Sequence, residues 1–306
     1  MSWRHIALPA GAIAILVIAT LAGMFTAQVD LPTVEDTRPA PQEVVTLDTV
    51  PDWRDAPLPD FSQYTVIDER KEAFFDFLFP RIALANMEVL RLRDYAQTLS
   101  ERDELTEKEL EWLTNQSTRL RVAGEPGTEA HFEELIKRFD IISPSLMLAQ
   151  AANESAWGTS RFAVRGNNLF GQWCFREGCG IVPGQRREGM NHEVEVFETP
   201  YRSIRSYLSN LNRHEAYSEL REVRAEQREE ERLPDGITLA GGLESYSERG
   251  MAYVQEIRSM INFNQLPDYD DAFERVLEAD APMADLDGKV EDYRRRFGKP
   301  EETAAN

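Results

Sequence analysis

The hydrophobic positions form several distinct patterns along the chain, each predicting a different kind of element. Ile6 to Ala27 is an uncharged, mostly apolar run, long enough to cross a bilayer. Arg4 precedes it and Asp30, Glu35 and Asp36 follow, which predicts a cytoplasmic amino terminus and an external remainder. A cleavable signal segment would have a shorter apolar region and an A-x-A site, so residues 1–27 read as a membrane anchor ahead of an export signal. Residues 28–60 carry Pro32, Pro39, Pro41, Pro51, Pro57 and Pro59 with little periodicity, and this predicts a semi-extended linker.

Helical spacing begins after Tyr64. Phe74, Phe75, Leu78, Ile82, Met87 and Leu90 recur on one face, with Pro80 marking a kink or break. Leu110, Trp112, Leu113 and Leu120 predict a second core helix from about Thr106 to Arg121, which completes a helical part over 61–122. Ala123 to Gly127 reads as a loop, and Glu129 to Phe139 as a short helix. Ser143-Pro144 is then a strong helix start, because a hydroxyl caps free N–H groups and proline suits the first helical position. Leu146, Met147, Leu148, Ala149, Ala151 and Ala152 make that helix apolar nearly all round, so it is expected to be buried.

Past Gly171 the chain turns to glycine, proline and β-branched residues, and Ile181-Val182 and Val194 to Phe197 predict a small antiparallel excursion. Within it, Glu193 and Glu195 alternate with Val194 and Val196 and read as the solvent side of a strand. Tyr201 to Arg232 returns to helix, Asp235 to Gly242 breaks it and opens another turn ending near Tyr246, and Gly250 to Asn262 is the last core helix. These elements bound a domain over 123–266. Residues 267–306 are charged and lack packing signals, and they read as a tail. The fold class expected is α+β, predominantly α: a lysozyme-like helical domain with a small antiparallel β lobe and a cleft between them.

Composition narrows the partners. Fifty-four acidic against thirty-four basic residues leave a formal charge of −20, which argues against nucleic acid as a ligand because its binding neutralises phosphates. Cys174 and Cys179 are the two cysteines; outside the cytoplasm such a close pair is expected to form a disulfide. His5, His131, His192 and His214 form no HExxH or comparable cluster, so no metal and no cofactor is expected.

The informative chemistry is Glu154. A carboxylate on the last turn of an apolar helix gains nothing from the helix dipole, and burial there raises its pKa. Trp157 lies one turn on and is expected to supply an apolar wall, the arrangement that keeps a glutamic acid protonated for use as a general acid. Arg165-Gly166-Asn167-Asn168-Leu169-Phe170-Gly171 suits a cleft wall, with Asn168 offering hydrogen bonds and Phe170 a stacking face.

ESAWGTSRFAVRGNNLFG resembles the catalytic segment of the bacterial glucosaminidases that cut peptidoglycan, in which ES-x-WG-x-S precedes GNNLFG. WCFREGCGIVPGQR and SYSERGMAYVQEI are similar most nearly to the Bax-type members, and the resemblance spans roughly Phe61 to Leu266. It implies an enzyme, an endo-β-N-acetylglucosaminidase that hydrolyses the β-1,4 bond after N-acetylglucosamine in peptidoglycan glycan strands, with Glu154 as acid. A second carboxylate on the β lobe is implied downstream, for which Glu188, in a loop-like RREG segment, is the choice. A substrate-assisted route would need Tyr246 or Tyr253 to orient the acetamido group. Ser247-Glu248-Arg249-Gly250 departs from the family's common Asp and Pro after the first tyrosine. A lytic transglycosylase is the first alternative, although GNNLFG differs from the G-L-M-Q such enzymes favour; a non-catalytic wall-binding scaffold is the second. The expected location is the inner membrane facing the periplasm, or the periplasm itself.

Overall fold

The computed structural model describes residues 38–298 apart from Asp48, Gln185, Arg187 and Glu188. The apolar run at 6–27 therefore lies outside the described residues. Among those described, no helix is long and apolar enough to cross a membrane.

The helices in chain order are α1 (Pro41–Val45), α2 (Ile67–Ser100), α3 (Glu107–Leu120), α4 (Glu129–Arg138), α5 (Pro144–Ser155) and α6 (Arg161–Gly166). After the β lobe come α7 (Pro200–Arg213), α8 (Ser218–Glu229), α9 (Gly236–Leu239), α10 (Met251–Phe263), α11 (Pro267–Glu278) and α12 (Pro282–Phe297). The expected predominantly helical α+β architecture is what forms. Strands β1 (Trp173–Cys174), β2 (Gly180–Ile181) and β3 (Glu193–Glu195) make one antiparallel sheet in the order β1-β3-β2. Its register pairs Trp173 with Val194 and Ile181 with Val194 from the other side.

The long helix α2 is the axis of the molecule. It runs through Pro80 without interruption, although proline removes one ladder hydrogen bond there. The cost is offset by burial on all sides: Phe74, Phe75, Leu78, Ile82 and Leu84 are at most 4% exposed and join the main core with α5, α7 and α10. Its far end, at Tyr95 and Leu99, enters a second cluster with Trp112, Leu113, Phe132 and Phe139 from α3 and α4. Leu110, expected in that core, is instead exposed on α3.

Two expectations about the flanks are corrected. The proline-bearing segment from Pro39 is packed, with Leu47, Trp53 and Phe61 buried against α2. Most of the described part of the charged tail, residues 267–298, likewise forms two helices, α11 and α12, whose Phe273, Val276, Leu286 and Val290 are buried. Trp53 Nε1 donates to Asp287 at 2.7 Å and so ties the two flanks together. The predicted helix from Tyr201 to Arg232 is two helices, broken by a 3-10 turn at Glu215–Tyr217 where the His214 side chain accepts from Ala216 N.

Arginines gathered on one buried aspartate hold the helix ends. Asp140, in the turn before α5, receives Arg228 through both carboxylate oxygens (2.6 and 3.0 Å) and lies near Arg224 and Arg93. Burial acts to raise the Asp140 carboxyl, but Arg224, Arg228 and Arg93 outweigh it and hold it below its ordinary range.

Candidate active site

Helix α5 starts as its sequence predicts. Ser143 Oγ accepts from Leu146 N and Pro144 is the first helical residue. Asp270, reaching in from α11, accepts from Ser145 N at 2.8 Å and from Ser145 Oγ. A carboxylate at a helix amino terminus satisfies free N–H groups and complements the dipole. The other end of α5 carries Glu154. Ala156, Trp157 and Gly158 then all adopt left-handed backbone angles. This reversal needs glycine at its last position, where an added Cβ would sit 2.5 Å from the Phe61 ring.

The reversal decides where Trp157 goes. Its ring packs edge-on against Phe74 and Phe75 at 5.9 and 5.2 Å, with Lys71 over its face. It is not among the residues lining the cleft that holds Glu154. The apolar surroundings expected from Trp157 come instead from Phe170, Tyr246 and Tyr253.

Glu154 terminates a one-way chain of hydrogen bonds. Tyr207 Oη donates to Gln150 Oε1, Gln150 Nε2 donates to Tyr253 Oη at 2.9 Å, and Tyr253 Oη donates to Glu154 Oε1 at 2.9 Å. Asn153 Nδ2 adds a longer bond to the same oxygen. Burial raises the Glu154 pKa above the ordinary carboxylate value, and the hydrogen bonds from Tyr253 and Asn153 counter only part of that rise. Glu256 pushes in the same direction as burial, while Arg249, ion-paired with Glu256, pulls against it. The other carboxylate oxygen, Oε2, faces Gly171. That glycine has φ +65°, and an added Cβ would lie 3.4 Å from Oε2, so only a bare backbone leaves this side of the acid open.

Two stacked pairs wall the site. Tyr246 lies parallel to Tyr253 at 5.4 Å, and Phe170 lies on Tyr207 at 4.0 Å. Tyr246 Oη donates to the Phe170 carbonyl at 2.8 Å and joins the pairs. Glu154, Phe170 and Tyr246 thus line one cleft of about 600 Å³, while Tyr253 stands behind them, 2% exposed. Asn168 is buried rather than open to a ligand. Its Nδ2 donates to the carbonyls of Gln172 and Glu195, and its Oδ1 accepts from Phe170 N and Gln172 N. Its role is to shape the loop that presents Phe170 and Gly171 and to fasten it to β3.

The β lobe closes the other side. Cys174 and Cys179 form a disulfide. Glu193 does not face solvent as its alternation suggested: it is buried, and it accepts from Gly178 N and Gly180 N at 3.1 and 2.8 Å. Those backbone bonds hold its carboxyl below the ordinary range. The two sulfurs and the Glu193 carboxylate lie within metal-ligand spacing of each other, but the sulfurs are bonded together and the carboxylate is taken by the backbone. Glu195 is half-buried and lines a different cavity, with Arg119 and Arg205. Glu198 is exposed, and Glu188 lies outside the described residues.

Sequence reasoning passes over several cleft residues. Trp173 and Phe175, 53% and 65% exposed, line the cleft from the lobe, with Trp173 stacked on His192 at 4.0 Å. They stand two apart around Cys174, the strand spacing that puts side chains on one face, so their signal was present. Gln150 and Tyr207 are buried behind the cleft and do not line it, and no sequence pattern pairs them across 57 residues. Arg121 and Arg213 also line the cleft.

A cleft between a helical body and a β lobe, holding one half-buried glutamic acid against aromatic walls, is the arrangement of glycan-cleaving hydrolases. Residues 129–266 match the family model described as Glucosaminidase, mannosyl-glycoprotein endo-beta-N-acetylglucosaminidase, and the chain belongs to the glucosaminidase family. Among its curated relatives is Protein bax of Escherichia coli (strain K12), which is 30% identical over 209 residues, covering 68% of this chain and 74% of the relative. No solved structure matches the chain.

Proposed function

We propose that this protein is a peptidoglycan hydrolase, an endo-β-N-acetylglucosaminidase that cleaves the β-1,4 bond after N-acetylglucosamine, with Glu154 as general acid. The observation that carries the reading is the setting of Glu154: in the cleft, desolvated, and oriented by the Tyr207–Gln150–Tyr253 chain. Desolvation keeps the proton on at higher pH than usual, which a group that must protonate a leaving glycosidic oxygen needs. Trp173, Phe175 and Tyr246 offer faces to the apolar sides of sugar rings. The family description names the same reaction type.

Glu188 is the proposed second carboxylate, a choice that rests on the resemblance of its segment. None of Glu193, Glu195 and Glu198 lines the cleft, so they do not compete for the role. Tyr246 and Tyr253 both spend their hydroxyl protons inside the protein, on the Phe170 carbonyl and on Glu154. That makes them positioning residues for the walls and the acid, and it weakens the substrate-assisted route. The disulfide suits an oxidising compartment, which favours display on the outer face of the inner membrane or release into the periplasm.

Release of soluble fragments from purified peptidoglycan tests the assignment. Glu154→Gln is expected to abolish release while leaving glycan binding intact, and unchanged release would remove Glu154 from the chemistry. Glu188→Gln is expected to slow turnover by at least about a hundredfold, the usual scale of a general acid–base contribution. A near-normal rate would return that role to the substrate's acetamido group.

A further inference from the structure

The cleft carries positive charge that the chemistry at Glu154 does not use. Among its lining residues Glu154 is the one carboxylate, whereas Arg121 and Arg213 are both present, with His214 beside them. In a chain of net charge −20 this local excess runs against the composition. Neither arginine is ion-paired among the described residues, and both are exposed. The charge of Arg213 reaches Glu195, but without an ion-pair contact.

Their placement is built from beneath. Arg138, 7% exposed, sends one nitrogen, Nη1, to two carbonyls: Leu120 at 3.0 Å and Arg213 at 2.9 Å. Leu120 is the last residue of α3 and Arg213 the last of α7. A single buried guanidinium therefore pins two helix carboxyl termini side by side, where cations complement the dipoles. Arg221, also buried, donates from Nη1 to Leu211 O and His214 O and fixes the α7 end again. Arg121 follows Leu120 directly and takes a left-handed backbone, φ 58°, a conformation that glycine usually fills and that disfavours other side chains. Such strain is held in place only where the surroundings over-determine it. Arg121 also lies ahead of the segment that matches the family model, which begins at residue 129.

We propose that Arg121 and Arg213 form an anion-binding subsite that takes a free carboxylate of the stem peptide attached to the glycan. This rests on the reading of the cleft as a peptidoglycan site. Peptidoglycan differs from a plain amino-sugar polymer in carrying short peptides with free carboxylates, and guanidinium groups bind carboxylates through paired, charge-assisted hydrogen bonds. The subsite selects glycan that still bears its stems, and it offsets the repulsion between an acidic enzyme and an acidic wall.

Calorimetric titration of the Glu154→Gln protein tests this without turnover. Two soluble probes of equal sugar length are compared: glycan fragments with intact stems, and the same fragments after amidase removal of the stems and chemical amidation of the muramyl carboxylates that this exposes. Stem-bearing fragments are expected to bind roughly tenfold tighter, about the scale of one charge-assisted contact at a partly exposed site. That preference is expected to shrink as salt rises. Adding Arg121→Gln and Arg213→Gln is expected to bring both fragments to the same Kd. Equal binding of the two fragments before those substitutions would overturn the subsite and leave the glycan reading standing. Binding of neither fragment would overturn both. A preference that survives the arginine substitutions would place stem recognition elsewhere and also overturn the proposal.

Discussion

Glu154 is one carboxylate under two opposed influences. Desolvation favours its protonated form, and the Tyr253 hydroxyl favours its ionised form, so the acid is tuned rather than simply buried. Tyr253→Phe removes the opposing hydrogen bond, together with the acceptor of Gln150 Nε2. It is expected to raise the Glu154 pKa further, moving the alkaline limb of the kcat/KM profile to higher pH while lowering the maximal rate. An unshifted alkaline limb would mean that another group sets it. Stability gives a second readout. A carboxyl whose folded pKa is raised stabilises the fold fully below its unfolded pKa and loses that contribution as pH rises through the folded value. Glu154→Gln is therefore expected to raise Tm at about pH 8, with the gap from wild type closing below about pH 4, where the glutamic acid is neutral in both states. A mutant no more stable than wild type at the higher pH would contradict the desolvated setting.

At the scale of elements, legibility tracked how local the cause was. Helix α5 was readable because its cap, its proline and its apolar run are adjacent in sequence, and Glu154 was readable because it breaks that run. Trp157 leaves the cleft wall because three consecutive left-handed residues turn the chain; of these only Gly158 announces itself in the sequence. Glu193 departs from its strand pattern because its partners are backbone N–H groups of the facing loop, which alternation does not show. The lobe itself is made of strands of two or three residues, too short to hold by pairing alone, so the disulfide and the Glu193 carboxylate fix the loop between β1 and β2. Replacing Cys174 and Cys179 with serine is expected to cost about 2 kcal/mol, the chain-entropy value for so short a loop. The loss is expected to fall on the lobe, where Trp173 and Phe175 flank the bridge, so KM should rise more than kcat falls. An unchanged KM would detach those aromatics from substrate binding.

The whole molecule is larger than the segment that defines its family. Residues 129–266 hold Glu154 and its hydrogen-bond chain, but α2 supplies the central core, α3 brings Arg121 to the cleft, and α11 and α12 close the far side. Those last two helices were hidden in the sequence by their charge, since only Phe273, Val276, Leu286 and Val290 on them are fully buried. They are nonetheless tied in through Asp270 at the start of α5, Tyr269 Oη on Asp76 at 2.7 Å, and Asp287 on Trp53. Ending the chain after Leu266 is expected to lower Tm by at least about 10 °C, as several kcal/mol would at roughly 2–4 °C each for a domain of this size. A truncated protein as stable as the full chain would make the terminal helices an ornament to the fold.

Mass spectrometry of peptidoglycan digested with residues 29–306, run beside the Glu154→Gln protein, reads the cleaved bond and the role of Glu154 together. Fragments ending in reducing N-acetylglucosamine are expected from the wild-type sequence and none from the mutant. Fragments ending in anhydro-muramic acid would contradict the glucosaminidase reading and move the chemistry to a transglycosylase, and intact strands that remain bound to the protein would reduce the cleft to a binding site.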